Sequence, residues 1–296
     1  MFSRIALFLA ANFGVLTVLS VSSRVFGLEH WLAQQGMTGQ LNGLVLMSLL
    51  FGFGGSFISL AISKWMARRS MGVQTIQQPS NDSERWLLET VAAQAKAANI
   101  GMPEVGIFQS PQPNAFATGM NKNNALVAVS TGLLQAMTEK EVEAVLAHEV
   151  SHVANGDMIT MGLLQGVLNT FVILFSRIIG MLIDRVVFKI QRGIGPGYWI
   201  GSIVAEIVLG IVAAMIASWF SRRREFRADA GGAELAGRDN MIAALQRLQG
   251  DQAPEELPGQ LAAFGIRGGM GSGLKKLLMS HPSLDQRIAA LRNMGD

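Results

Sequence analysis

Residues 138–152 read TEKEVEAVLAHEVSH. Thr138 is followed three residues later by Glu141, which is the pattern of a capping box, and the apolar residues after it recur with helical spacing. The segment therefore predicts a helix that begins at Glu139. His148 and His152 are four residues apart, so this helix presents both imidazoles on one face, about 6 Å apart along its axis.

This spacing is suited to a metal ion. Two imidazoles on successive turns can bind the same zinc ion, and Glu149 lies beside them. A carboxylate in that place can take a proton from the water that the metal activates and return it to the leaving amine. A chain of this composition would contain H-E-x-x-H by chance only about 0.002 times. The sequence therefore predicts one zinc ion and hydrolytic chemistry.

A catalytic zinc site normally has three protein ligands, so one more is expected. The chain has no cysteine, which restricts the choice to histidine and carboxylates. The candidates are Glu234, His281, Glu225 and Asp229. The last two stand four residues apart and share a helix face, so one could bind the metal while the other orients a histidine. Spacing alone leaves their roles open, as it leaves open a solvated helix in which both acids pair with neighbouring arginines.

The composition around this motif is that of a membrane protein. Half of the residues are hydrophobic and only 15% are charged, whereas soluble domains carry about 25% charged residues. A spanning helix needs about 20 mostly apolar residues. Four runs meet that length, at residues 5–22, 41–65, 158–183 and 198–220. The first run could also be a cleaved signal peptide, although no clear A-x-A site follows it.

Lysine and arginine near the ends of these runs predict their orientation. Basic residues precede the first run and follow the second and fourth, whereas residues 27–40 contain none. Both termini and the H-E-x-x-H helix should therefore face the cytoplasm. The 184–197 loop disagrees with this orientation, because it would lie outside the cytoplasm and yet contains Arg185, Lys189 and Arg192. Arg177 and Glu206 lie within spans, either as a partly solvated ion pair or with a functional role.

The expected architecture is an α-helical membrane protein with four transmembrane helices and a cytoplasmic α/β zincin-like metalloprotease domain. Its expected parts are a transmembrane hairpin at 1–66, a protease lobe at 67–157, a second hairpin at 158–220 and a second cytoplasmic segment at 221–296. In the lobe we expect a helix over 81–98 capped by Asp82 or Ser83, strands at 104–109, 114–118 and 126–130, and a final helix at 284–294.

Four motifs together resemble the HtpX family of bacterial membrane zinc metalloproteases, which are related to the CAAX prenyl endopeptidases. They are HEVSH at 148–152, EFRAD at 225–229, NAFA at 114–117 and HPS at 281–283. Members of the family are gluzincins. The resemblance implies that His148, His152 and Glu225 bind zinc, that Glu149 is the general base and that Asp229 supports a ligand without touching the metal.

The resemblance also implies a substrate-binding role for the NAFA segment, formed by Asn114, Ala115, Phe116 and Ala117. An extended substrate can add as a strand to a sheet edge, and this segment lies between prolines and a glycine turn, as an edge strand would. The alternative is an ordinary surface hairpin with Phe116 in the core. His281 could donate a hydrogen bond to a developing oxyanion, or could be a helix-cap or solvent-exposed histidine.

The implied function is hydrolysis of misfolded or damaged membrane proteins at the cytoplasmic face of the bacterial inner membrane, in quality control and stress response. The expected partners are unfolded and membrane-protein substrates and the lipid bilayer. A prenyl-protein endopeptidase is one alternative, although such relatives have more spans. A non-catalytic scaffold with a structural zinc ion is another, and it would require a fourth protein ligand. No basic face outside the membrane flanks suits nucleic acid.

Overall fold

The computed structural model describes residues 40–190, 193–250 and 277–294, with side chains from residue 43 onward. The first expected span, residues 5–22, lies outside the described residues. Spatial contacts divide the described chain into two compact units. The first comprises residues 40–57 and 163–214, and the second comprises residues 58–162 and 215–294.

The helices follow one another along the chain with short connections in most places. In chain order they are α1 (Gln40–Leu49), α2 (Gly55–Met71), α3 (Asp82–Ala97), α4 (Thr131–Ala136), α5 (Glu139–Asn155), α6 (Asp157–Val186), α7 (Pro196–Ala236), α8 (Arg238–Gly250) and α9 (Leu284–Arg292). A π-helical turn, Leu50–Gly54, joins α1 to α2. The strands are β1 (Gln74–Thr75), β2 (Glu104–Phe108), β3 (Ala115–Asn121) and β4 (Asn124–Ser130).

Among the described residues, three helical segments are long and apolar enough to cross a membrane. They are Gly43–Met71, α6 and α7, which correspond to the second, third and fourth expected spans. The last of them is 41 residues long and continues well past residue 220, where its apolar run ends. The residues of the EFRAD motif are therefore carried on the same helix as the fourth span.

The spanning segments of the first unit pack closely through small residues. A Cβ atom on Gly52 would lie 2.4 Å from the backbone nitrogen of Thr170 on α6, and one on Gly180 would meet the Ser202 hydroxyl of α7. Inside a bilayer the hydrophobic effect does not drive helices together. Close van der Waals packing between small residues stabilises their association instead. Arg177 and Glu206 form a partly exposed pair at 3.7 Å in this unit.

The second unit contains a four-stranded sheet in the order β1-β2-β4-β3. β2 and β4 run parallel, while β1 pairs with β2 and β3 pairs with β4 in antiparallel fashion. β4 is central and almost wholly buried, which explains its run of small and β-branched apolar residues. The three expected strands are present, with β3 extending to Asn121. β1 was not expected, because two residues carry no periodicity.

The helix caps differ from expectation at one place. Thr138 and Glu141 form the capping box of α5, so the predicted start at Glu139 is confirmed. The cap of α3 is Asn81, whose side chain accepts a hydrogen bond from the Glu84 N–H at 2.8 Å. The expectation that Asp82 or Ser83 caps this helix was wrong. Asn81 has the extended backbone that an N-cap requires, whereas Asp82 is already helical.

A candidate metal centre between two long helices

Helix α5 places His148 and His152 side by side in the interior of the second unit. Both residues are buried, and their Nε2 atoms lie 3.1 Å apart. The imidazole rings meet edge to face, with centroids separated by 4.6 Å. The i, i+4 spacing therefore has the consequence expected from helix geometry.

Helix α7 brings a carboxylate to the same point. Glu225 Oε1 lies 3.3 Å from His152 Nε2, and its Oε2 lies 3.5 Å from His148 Nε2. One potential ligand atom from each of the three residues lies within 4.8 Å of the other two. Glu225 is 1% exposed. The alternative of a solvated, surface-paired acid was therefore wrong.

Two glycines allow α7 to approach α5 this closely. A Cβ atom on Gly231 would lie 2.7 Å from the Ser151 hydroxyl oxygen, and one on Gly232 would lie 3.2 Å from the backbone nitrogen of His148. Larger residues there would push the two helices apart. Gly231 and Gly232 thus set the distance at which Glu225 can reach both histidines.

Each histidine is also held from its other ring nitrogen. His152 Nδ1 lies 2.7 Å from Asp157 Oδ2, and His148 Nδ1 lies 3.0 Å from Asp229 Oδ1. A carboxylate at Nδ1 favours the tautomer with the proton on that nitrogen. The lone pairs of both Nε2 atoms then face Glu225. Gly156, which has a φ of 64° at the end of α5, provides the turn that precedes Asp157.

Arg287 of α9 joins this arrangement. Its guanidinium donates to both carboxylate oxygens of Asp229, with the Nε–Oδ2 distance at 2.8 Å. The Nη1 atom also lies 3.7 Å from Glu225 Oε2. Arg287 is 7% exposed, so its positive charge depends on these two acids for compensation.

His281 reaches the cluster from the segment before α9. Its Nδ1 lies 2.9 Å from Glu225 Oε2, while about half of the side chain remains exposed. Two residues of α7 hold the start of this segment. The Ser218 hydroxyl donates to the carbonyl of Leu278, and the Arg222 guanidinium donates to the carbonyls of Leu277 and Met279. These contacts hold His281 at the edge of the buried cluster, where one side of its ring faces Glu225 and the rest is exposed to solvent.

The surrounding carboxylates favour positive charge at the histidines. Burial would lower the pKa of His152, but the adjacent carboxylates of Asp157 and Glu225 outweigh burial and raise the pKa to about 9. Burial opposes the charged form of His148 too, but the adjacent carboxylates of Asp229 and Glu225 outweigh burial, so its pKa is raised. A metal cation would be stabilised by the same charges, and its binding would release protons.

The residues present fit a divalent metal. Glu225 Oε1 is buried and lies near His152 Nε2 and the Arg224 guanidinium, but among the described residues no well-aligned hydrogen bond to it is formed, although buried carboxylate oxygens normally accept one. Two imidazole nitrogens with inward-facing lone pairs, 3.1 Å apart, would repel each other unless a proton or cation lay between them. Two histidines and one glutamate are also the ligand set of several catalytic zinc sites.

Glu149 follows His148 on α5 and is partly buried. No hydrogen bond to its carboxylate occurs among the described residues, and its negative charge contributes to the raised pKa of His152. The carboxylate is therefore close to the histidines and is not committed to a structural partner in the described chain. That is the placement a general base needs.

Strand β3 lies at one edge of the sheet, next to α5. The Asn114 carbonyl accepts a hydrogen bond from the Ser130 N–H of β4. Backbone direction alternates along a strand, so the backbone groups of Phe116 also face β4, and those of Ala115 and Ala117 face the open edge. Phe116 is partly buried and packs against Phe108 with ring centroids 5.6 Å apart.

The structure thus brings together five of the residues singled out in the sequence. They are His148, His152, Glu225, Asp229 and His281. Their chemical roles stay predictions. Asp157, Ser218 and Arg222 were missed. Asp157 immediately precedes an apolar run and looks like an ordinary helix-start acid, so only its position after the Gly156 turn hinted at a contact with His152.

Comparisons with known proteins match the chain to peptidases. Residues 81–295 match the model of peptidase family M48. Over 98% of its length the chain is 62% identical to Protease HtpX of Thioalkalivibrio sulfidiphilus, covering 99% of that protein. It is 60% identical to Protease HtpX of Pseudoalteromonas atlantica, again over 98% of the chain and 99% of the relative.

Among solved structures, the fold resembles that of Ste24p of S. mikatae. The TM-score is 0.60 at 17% sequence identity, and the alignment covers 96% of the present chain and 74% of Ste24p. At this identity the likeness concerns the fold.

Proposed function

Since the chain belongs to peptidase family M48 and is a membrane metalloprotease, we propose that His148, His152 and Glu225 hold one catalytic zinc ion, with Glu149 as general base. The observation that carries this proposal is the convergence of the His148 and His152 Nε2 atoms and the Glu225 carboxylate at one buried point. Zinc suits two imidazoles and a carboxylate, and leaves a coordination position open with three protein ligands.

When bound, zinc would supply Lewis acidity, polarising the scissile carbonyl and making a water molecule more acidic. Glu149 then accepts a proton from the attacking water and delivers it to the nitrogen of the departing amine. Its place beside His148 on a rigid helix keeps its carboxylate within the site. Water attack breaks the peptide C–N bond and yields a carboxylate and an amine.

The residues around the ligands act by orientation. Asp157 and Asp229 hold the Nδ1 protons of His152 and His148, so both Nε2 lone pairs point to one place. Arg287 keeps Asp229 ionised and fixed. His281 is proposed to donate a hydrogen bond to the oxygen that gains negative charge as the carbonyl is attacked, which is supported by its half-exposed position beside Glu225.

Substrate is proposed to bind as an added strand at the β3 edge, which includes the Asn114–Ala117 motif. The outward-facing N–H and C=O groups of Ala115 and Ala117 can pair with an extended peptide. The Ala115 and Ala117 side chains pack against the hydrophobic core of the second unit, so only their backbone groups are offered to the substrate. Backbone pairing of this kind recognises unfolded chains with little dependence on sequence.

We propose further that the substrates are misfolded or damaged membrane proteins, cut at the cytoplasmic face of the bacterial inner membrane in quality control and stress response. Basic residues after the second and fourth apolar runs support this orientation. Three helices of spanning length in the same chain support membrane-bound substrates. Among the described residues the cluster has three potential ligands, whereas a structural zinc site usually has four.

The test is Glu149→Gln in the purified, detergent-solubilised full chain. The amide cannot act as a base but leaves the ligands intact, so the variant should retain zinc and lose casein cleavage. Glu139→Gln is the matched control, since Glu139 lies on the same helix but is exposed at its first turn. Cleavage by Glu149→Gln within about tenfold of the unaltered chain would refute the assignment, because general-base catalysis contributes about 100-fold or more.

A further inference from the structure

Basic residues cluster where the apolar parts of α2 and α7 end, and the structure separates them into two groups. Members of the larger group each form a hydrogen bond or an ion pair with another described residue, and they are Lys64, Arg68, Arg222, Arg224 and Arg227. Arg69 and Arg223 form the second group. Neither has a carboxylate or carbonyl partner among the described residues, and both are exposed.

Both of these arginines lie four residues after an exposed tryptophan. The guanidinium carbon of Arg223 lies 4.4 Å from the centre of the Trp219 ring, and that of Arg69 lies 6.0 Å from the centre of the Trp65 ring. The indoles are 49% and 59% exposed. Stacking on the ring face holds each guanidinium along its helix and leaves its N–H groups directed away from the ring.

The surroundings of both pairs are those of a lipid-facing surface. Ile58, Ile62 and Met66 on the same helix as Trp65 are exposed, as are Val212 and Ile216 before Trp219. Tryptophan at the end of an apolar helix lies at the level of the lipid headgroups. A guanidinium beside it meets phosphate oxygens, for which its planar donor set is well matched.

We propose that Trp65–Arg69 and Trp219–Arg223 are two binding sites for anionic phospholipid, with the arginine on the headgroup phosphate and the indole against the glycerol region. The partner is the lipid surface, because each pair continues an exposed apolar helix face. The inference rests on the chain being a membrane protein and does not depend on the proposed catalytic roles. Arg223 stands two residues before Glu225, so a lipid bound there fixes the depth of the part of α7 that carries this residue.

Tryptophan fluorescence gives a direct test, since brominated lipids quench only the indoles that they touch. The chain has five tryptophans, so four are replaced by phenylalanine to leave Trp219 alone. The full chain is reconstituted in phosphatidylcholine vesicles that contain equal mole fractions of brominated phosphatidylglycerol or brominated phosphatidylcholine. A matched control keeps only Trp199, which is also exposed on α7 but has Ile203 in place of an arginine four residues later.

Quenching of Trp219 should favour phosphatidylglycerol, with a local enrichment of about fivefold, as expected for one basic residue at an anionic surface. Arg223→Gln should abolish this preference, and Arg223→Lys should keep part of it because the charge remains. Salt should weaken it. Trp199 should show no preference. The same comparison applies to Trp65 with Arg69→Gln.

Equal quenching of Trp219 by the two lipids, or a preference that survives Arg223→Gln, would overturn the proposal. Absence of quenching by either lipid would also do so, because the indole would then be covered by protein. If the single-tryptophan variants fail to fold, native mass spectrometry of the otherwise unaltered chain replaces them. There the Arg69→Gln, Arg223→Gln double variant should retain less co-purified phosphatidylglycerol, and unchanged retention counts against the two sites.

Discussion

Replacing Asp157 by asparagine tests whether its hydrogen bond to His152 supports metal binding. The Asp157 side chain is 2% exposed and its carboxylate lies 2.7 Å from His152 Nδ1, so the bond is short, buried and charge-assisted. Loss of such a partner typically lowers metal affinity by about 10- to 100-fold, which corresponds to about 1.4 to 2.8 kcal/mol. Asparagine has nearly the same shape, so packing at this point should be preserved.

The corresponding change at Asp229 should behave differently. Asp229 touches His148 and also neutralises the buried Arg287. Asp229→Asn therefore leaves a buried guanidinium without its main partner, which costs about 3 to 5 kcal/mol in comparable cases. Glu225 Oε2, 3.7 Å from Arg287, offsets part of that loss. Both variants should lower the stability of the metal-free protein, and Asp229→Asn should lower it more, because it removes the partners of both His148 and the buried Arg287.

The assay is a competition titration of zinc against a chelator of known affinity, combined with thermal unfolding of the metal-free protein in detergent. Zinc affinity of Asp157→Asn equal to that of the unaltered chain would refute the role given to the His152–Asp157 contact. Equal unfolding midpoints for the two metal-free variants would refute the account of Arg287.

Three further changes test other parts of the arrangement. Glu225→Ala should be purified nearly free of zinc, as measured by metal analysis, because it removes a ligand; full occupancy would move the third ligand elsewhere. Arg222→Ala should retain zinc but lower kcat, since the segment carrying His281 loses two hydrogen bonds, and an unchanged kcat would contradict this. Ala117→Pro should raise KM at least tenfold in a casein assay by removing an outward N–H, while Ala117→Val should not; similar KM values would argue against strand addition. For topology, a cysteine at the exposed Ile194 should react with an impermeant thiol reagent in spheroplasts, and one at Gln77 only after lysis; labelling of Gln77 from outside would reverse the orientation.

Elements whose stabilising contacts are local could be predicted from the sequence. The capping box at Thr138 and the start of α5 are examples, since both partners lie within one helical turn. The apolar runs of α6 and α7 are another, because length and composition alone decide whether a helix can cross a bilayer. The cap of α3 shows the limit of this reasoning. Three successive residues, Asn81, Asp82 and Ser83, can all cap a helix, and the backbone conformation selected Asn81.

The tertiary structure decided which groups meet at the candidate metal centre. Periodicity placed His148 and His152 on one face and could do the same for Glu225 and Asp229, but it could not say which acid faces the Nε2 atoms. Packing decides this, because Gly231 and Gly232 allow α7 to lie close against α5. In the resulting orientation Glu225 faces His148 Nε2 and Asp229 faces His148 Nδ1. The contacts of Asp157 and Arg287 likewise depend on turns and helix packing, which residue spacing does not encode.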